Sequence, residues 1–193
     1  MIPERIGLFF GSFNPVHIGH MLVANYMVEF TDVHKVWFIV SPHNPLKEKK
    51  SLLQDHHRFD MVVKAINDDP RFDVSDIEFR MPQPSYTIDT LTRLSERHPN
   101  TAFSMICGMD SLESIHKWKN FETLLQNYRL LVYPRSGFTG GKYLNHPSVH
   151  LVDAPAIEIS SSFIRRAVSV GKNISYFMPP KAFEYMTLMH FYE

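Results

Sequence analysis

The chain has a single cysteine, Cys107, among its 193 residues. One thiol excludes an internal disulfide framework and a multi-thiolate metal site. Unpaired cysteine is usually a small core hydrophobe, so Cys107 is expected to be a buried strand residue. Charge of either sign is not in excess: 20 Lys and Arg offset 20 Asp and Glu. That balance argues against a protein that coats nucleic acid or a membrane surface. No apolar run approaches the length of a membrane span. Glu4 and Arg5 interrupt the N-terminus, and the apolar run behind them is too short for a signal peptide. Repeats and low-complexity segments are also lacking. These absences point to a soluble protein of a reducing cytoplasm. At this length one well-formed core is expected, with residues 1–193 as a single domain.

What is present alternates short apolar runs with amphipathic segments. Ile6–Phe10, Val36–Val40, Ala102–Cys107, Arg129–Tyr133 and Val149–Val152 read as buried strands. Phe72–Phe79 alternates loosely and suggests short strands. Helices are expected over Met21–Phe30, Gln54–Asn67, Tyr86–Arg97, Phe121–Gln126, Ser162–Val170 and Lys181–Met189. In the second of these, Phe59, Val62, Val63 and Ile66 share one predicted face. The loop Ser41–Lys47 carries two prolines, which forbid regular structure there. This pattern predicts an α/β fold: a Rossmann-like, doubly wound, mostly parallel sheet with helices on both faces. Such a sheet binds ligands at the carboxyl ends of its strands, where strand order reverses.

Two motifs carry chemistry. The first is Gly11-Ser12-Phe13-Asn14-Pro15-Val16-His17-Ile18-Gly19-His20. It follows a strand and opens a helix, a setting in which unpartnered backbone N–H groups and the helix dipole receive an anion. Histidines three apart lie on one face of the first helical turn. The motif therefore suggests a triphosphate site. A zinc reading lacks an HExxH pattern and a cysteine pair. His56 and His57 are adjacent and are expected to point to different sides of a helix, which is not a convergent metal site. The second motif is Ile159-Ser160-Ser161-Ser162-Phe163-Ile164-Arg165-Arg166. Its serines open a helix and its arginines sit near the start, an arrangement that suits a second phosphate contact.

Together these motifs resemble the nucleotidyltransferase superfamily, whose members grip a nucleoside triphosphate from both sides. The segments between them are similar to bacterial nicotinate-nucleotide adenylyltransferases. Pro84-Ser85-Tyr86-Thr87-Ile88-Asp89-Thr90-Leu91 resembles their PSYT…TL segment. Cys107-Gly108-Met109-Asp110-Ser111-Leu112 resembles their GxDSL segment. Trp118 falls where they carry a tryptophan, and Tyr133-Pro134-Arg135-Ser136-Gly137 resembles their strand-ending R-x-G. The resemblance covers essentially the whole chain, in order.

The resemblance implies an enzyme of NAD biosynthesis that joins nicotinate mononucleotide to ATP, with Mg²⁺ accompanying the ATP and no protein metal cage. It implies His17, His20 and Arg165 as catalytic groups. ATP would be bound by these three with Gly11, Ser12, Phe13, Lys47, Gly108, Asp110, Arg135, Ser160, Ser161 and Ser162. Tyr86, Thr87 and Trp118 would form the nicotinate pocket, with backbone N–H groups near Thr87 and Trp118 receiving the carboxylate. The implied partners are these two small molecules, not nucleic acid or membrane; a homo-oligomer is left open. Two departures stand out. Asn14 occupies a position where the family often has Asp, and Asn44-Pro45-Leu46-Lys47 lacks the histidine of the family's PPHK loop. Another acceptor, nicotinamide mononucleotide or phosphopantetheine, stays open at this point. So do a catalytically silent nucleotide sensor and a class I aminoacyl-tRNA synthetase fragment, although the latter's second signature loop is not visible.

Overall fold

The computed structural model describes residues 3–42 and 52–193. Its framework is a six-stranded sheet. The strands are β1 (Glu4–Gly11), β2 (Lys35–Val40), β3 (Phe72–Ser75), β4 (Thr101–Gly108), β5 (Arg129–Tyr133) and β6 (Val149–Leu151). Every pairing is parallel, in the order β3-β2-β1-β4-β5-β6. Strand order therefore reverses between β1 and β4. Their carboxyl ends, Gly11 and Gly108, frame the crevice where such sheets take ligands.

Seven helices lie among the described residues: α1 (Ile18–Phe30), α2 (Asp55–Ile66), α3 (Thr87–Arg97), α4 (Met109–Glu113), α5 (Phe121–Asn127), α6 (Ser161–Ser169) and α7 (Pro180–Leu188). The strands alternate into two cores, as the pleat requires. Phe9, Val36, Phe38, Val40, Ile106 and Leu131 join α1, α2, α6 and α7 on one face. Ile6, Leu8, Ile39, Met105, Cys107, Leu130 and Val132 join α3, α4 and α5 on the other. Because both faces are covered, the strands read as continuous apolar runs.

Several boundaries differ from the sequence reading. β1 runs one residue further, so Gly11 is still paired, with Val40. The Phe72–Phe79 segment becomes β3 followed by a 3-10 turn, Ile77–Arg80. The turn at Gly108 opens a short helix, α4, that the apolar pattern did not announce. On α2, Val63 is 43% exposed, while Arg58, Met61, Val62 and Ala65 face inward. The inward face is rotated from the predicted one and includes a fully buried arginine. His56 and His57 also depart from expectation: their ring centroids lie 3.9 Å apart, and His57 Nδ1 pairs with the Tyr185 hydroxyl at 3.0 Å. Cys107 is buried as expected, and burial pushes its thiol up to about 12.

Candidate active site

The histidine motif folds as a tight turn from β1 into α1. His17 is the N-cap in extended conformation, so the helix begins at Ile18, three residues earlier than the apolar pattern suggests. His20 falls in the first turn. Its Nδ1 accepts the His17 backbone N–H at 3.2 Å. That bond leaves the ring proton of a neutral His20 on Nε2, where it is a donor. The two imidazoles stack at 3.7 Å with 24° between planes. Phe13, at φ 44°, folds its ring edge-on against His20 at 5.0 Å.

The glycines of the motif are explained by this packing. A Cβ at Gly11 would lie 2.8 Å from the Phe13 ring. At Gly19 it would lie 3.0 Å from His17 Nδ1 and 3.1 Å from Ile157. Above Gly11, one of the residues implied to bind ATP, the space is taken by Phe13.

His17 is 4% exposed, and its Nδ1 has no hydrogen-bond partner in the protein. Burial, reinforced by the nearby positive Arg135, pushes its imidazole down to about 3. His17 is therefore neutral at physiological pH. His17, implied as a catalytic group, thus stands in this cleft as a neutral polar side chain. Arg135 lines one cleft with Phe9, His17, Gly19, His20, Tyr133, Pro155, Ile157 and Ile159. Arg135 Nε stands 4.0 Å from Asp110 Oδ1. Asp110 lies in the first turn of α4, just after Gly108. A Cβ at Gly108 would meet the Asp110 carboxylate at 2.4 Å. The cleft thus collects Arg135 and both histidines at the switch point, with Asp110 beside Arg135. In the wall built by Pro155, Ile157 and Ile159, the last opens the second motif; Pro155 and Ile157 were missed by sequence reasoning, since an irregular apolar stretch carries no motif.

The second motif closes directly on the first. Ser160 is the N-cap of α6, its hydroxyl accepting the Phe163 N–H at 3.2 Å. Ser161 Oγ donates to the Pro15 carbonyl at 2.8 Å. Arg165 donates to the Asn14 carbonyl at 2.7 Å and to Ser162 Oγ at 3.3 Å. The helix dipole disfavours a cation early in a helix; here a backbone carbonyl receives it. Arg166 is exposed.

Two buried charges that sequence reasoning missed hold the surrounding loops. Arg58, with 0% exposure, donates to the carbonyls of Ser12 (2.6 Å), Ser41 (2.8 Å), Leu53 (3.0 Å) and Pro42 (3.1 Å). It also pairs with Asp55 at 2.6 Å. It therefore ties the end of β1 to the segments on either side of residues 43–51. Lys47, predicted to bind phosphate, lies outside the described residues. Glu78 is 2% exposed and accepts the hydroxyls of Ser85 and Thr90, each at 2.8 Å. Burial pushes its carboxyl above the usual range, against the pull of these hydroxyls and that of Ser41. A charged residue at a core-facing helical position is the signal that could have found Arg58.

Glu78 brackets the segment that carries Tyr86 and Thr87. Tyr86 is the N-cap of α3, and Thr87 is its first residue, whose backbone N–H has no intrahelical acceptor. Lys119 Nζ sits 4.7 Å above the Tyr86 ring and 2.8 Å from Asp89. That contact draws the neighbourhood of Trp118 to the start of α3. Tyr86 and Trp118 both pack half-buried on the same core. The Trp118 backbone N–H itself is spent on the Ile115 carbonyl at 2.9 Å. Among the described residues, no cluster of three or more His, Cys, Asp or Glu side chains could cage a metal ion. No helix of the described residues is long and apolar enough to cross a membrane.

Comparison with known proteins agrees with this geometry. A cytidylyltransferase-like family model matches residues 8–167, which include both motifs. The chain is 48% identical over 191 residues to the probable nicotinate-nucleotide adenylyltransferase of Flavobacterium johnsoniae, covering 98% of this chain and 99% of that protein. It is 46% identical to the probable nicotinate-nucleotide adenylyltransferase of Bacteroides fragilis, over 95% of this chain and 92% of the relative. The fold matches the Plasmodium falciparum nicotinic acid mononucleotide adenylyltransferase solved with NaAD, at TM-score 0.84 and 23% identity, covering 98% and 97% of the two chains. The chain belongs to the cytidylyltransferase-like family, within its nicotinate-nucleotide adenylyltransferase branch.

Proposed function

We propose that this chain transfers the adenylyl group of ATP to nicotinate mononucleotide, forming deamido-NAD and releasing pyrophosphate. The 5′-phosphate of the mononucleotide attacks the α-phosphorus of ATP. A new P–O bond forms as the bond to pyrophosphate breaks. No enzyme nucleophile is required, because the attacking phosphate is already an anion. The protein's contribution is positioning and stabilisation of developing charge. His20 offers its Nε2–H to the transferring phosphoryl group. Arg165 supplies the cation from the opposite side, and Arg135 adds positive charge beside His17. Mg²⁺ would accompany the triphosphate and supply charge neutralisation there, without a cage of His, Cys, Asp or Glu side chains among the described residues. The nicotinate carboxylate is received by the N-terminal N–H groups of α3 near Thr87, with Tyr86 and Trp118 as flanking rings.

The observation that carries this reading is the junction of the two motifs at the switch point: Arg165 and Ser161 on α6 bond the Asn14 and Pro15 carbonyls just ahead of the stacked histidines. The acceptor follows from the relatives' descriptions. The test is pyrophosphate release from ATP and Mg²⁺ with nicotinate mononucleotide, nicotinamide mononucleotide or phosphopantetheine in turn. Fastest release with nicotinate mononucleotide is expected. Fastest release with another acceptor would reassign the substrate, and none with any acceptor would favour a sensor.

A further inference from the structure

Asn14, in the first motif, is 5% exposed. Its side-chain oxygen accepts the Leu53 N–H at 3.2 Å and the Tyr192 hydroxyl at 2.6 Å. Its carbonyl accepts Arg165. Tyr192 is the penultimate residue, 178 positions away. The chain reaches Asn14 by an unusual route. After α7, His190 and Tyr192 both adopt left-handed backbone conformations, at φ 53° and 69°. Such a conformation costs a non-glycine residue on the order of 1 kcal/mol, and it persists where the surroundings impose it. The Phe191 N–H returns to the Met186 carbonyl at 3.1 Å, and its ring packs on His57 at 4.8 Å. The result is a hook that turns the Tyr192 phenol inward, where burial raises its pKa against the opposing pull of Arg165 and Arg58.

We infer that Tyr192 is a positioning residue for adenylyl transfer, holding Asn14 through its hydroxyl so that the Asn14 carbonyl fixes Arg165 against the histidine turn. This rests on the transfer reading above. The C-terminal hook thereby becomes part of the nucleotide half of the site. Its effect is transmitted by short bonds: Tyr192 hydroxyl to Asn14 side chain, Asn14 backbone to Arg165 guanidinium. A phosphate-binding arginine released from that carbonyl samples other rotamers, and small misplacements of a positioned group are costly to rate.

The test uses the full chain and steady-state kinetics with ATP and nicotinate mononucleotide. Tyr192→Phe deletes only the hydroxyl. It should lower kcat roughly fivefold while leaving the KM for nicotinate mononucleotide within about twofold. Tyr185→Phe is the control. It removes another hydroxyl from the same end of the chain, one bonded to His57 and Asp60 on α2 rather than to the motif; it should turn over at the wild-type rate. In an Asn14→Ala background, adding Tyr192→Phe should change kcat by less than about twofold, because the hydroxyl acts through Asn14. Wild-type kcat in Tyr192→Phe overturns the inference. So does an equal loss in Tyr185→Phe, or losses that multiply in the double variant. If Asn14→Ala does not fold, the Tyr192–Tyr185 comparison decides alone. Failure of the wild-type enzyme itself to make dinucleotide would instead contradict the transfer reading.

Discussion

The two halves of the cleft are built differently. On the nucleotide side, α6 bonds the turn between β1 and α1, and Arg58 alone donates to four backbone carbonyls and one carboxylate. On the acceptor side, the Tyr86–Thr87 segment hangs from one buried carboxylate, Glu78, through two hydroxyls. Lys119, exposed to solvent, supplies the other tie. Among the described residues, the triphosphate half is cross-linked by the larger set of bonds. The acceptor half rests on fewer bonds, and exposed ion pairs such as Lys119–Asp89 contribute little. The contrast suits the chemistry: the transfer needs fixed donors around phosphorus, whereas the mononucleotide must enter and the dinucleotide must leave.

Substitutions on the two sides should separate accordingly. Arg58→Met should have the largest effect, a stability loss of about 3 kcal/mol, because four carbonyls lose their charged donor. Chemical denaturation measures it; a loss near zero would mean that Arg58 does not set the nucleotide half. His20→Ala should lower kcat at least about a hundredfold, roughly 2.7 kcal/mol of transition-state stabilisation, with the fold retained. Near-normal turnover would remove His20 from the reaction.

His17 makes the third prediction, through pH. Its folded-state pKa, about 3, lies below its unfolded value. The unfolded chain therefore binds the extra proton as pH falls below about 6.5, so stability present at neutral pH is lost on acidification. Between pH 7 and pH 5 this one group should contribute about 2 kcal/mol of that loss. His17→Asn should show a correspondingly shallower decline in melting temperature; an unchanged decline would place the burden elsewhere.

The smallest effect is expected on the acceptor side. Glu78→Gln keeps the shape but converts one acceptor into a donor. It should raise the KM for nicotinate mononucleotide about fivefold, equivalent to roughly 1 kcal/mol, and leave the KM for ATP unchanged. A matched rise in both constants would erase the distinction between the halves.

The same contrast explains what could be read from sequence. The sheet was legible because parallel strands buried on both faces leave continuous apolar runs such as Ile6–Phe10. Both phosphate motifs were legible because each is contiguous and sits at a strand or helix end. Their junction was not, since Arg165 meets Asn14 across 151 positions and Tyr192 meets it across 178. Arg58 and Glu78 were hidden for a related reason. A charge is normally read as surface, and only the folded chain supplies the carbonyls and hydroxyls that make its burial tolerable. The neutrality of His17 likewise follows from burial beneath Gly19 and Ile157, which no local pattern records.

The most direct measurement compares kcat/KM for nicotinate and nicotinamide mononucleotide with the same enzyme, ATP and Mg²⁺. A preference for nicotinate of at least about tenfold is predicted, because N–H donors at the start of α3 favour a carboxylate over an amide. Equal values, or a preference for the amide, would contradict the assignment of the acceptor half.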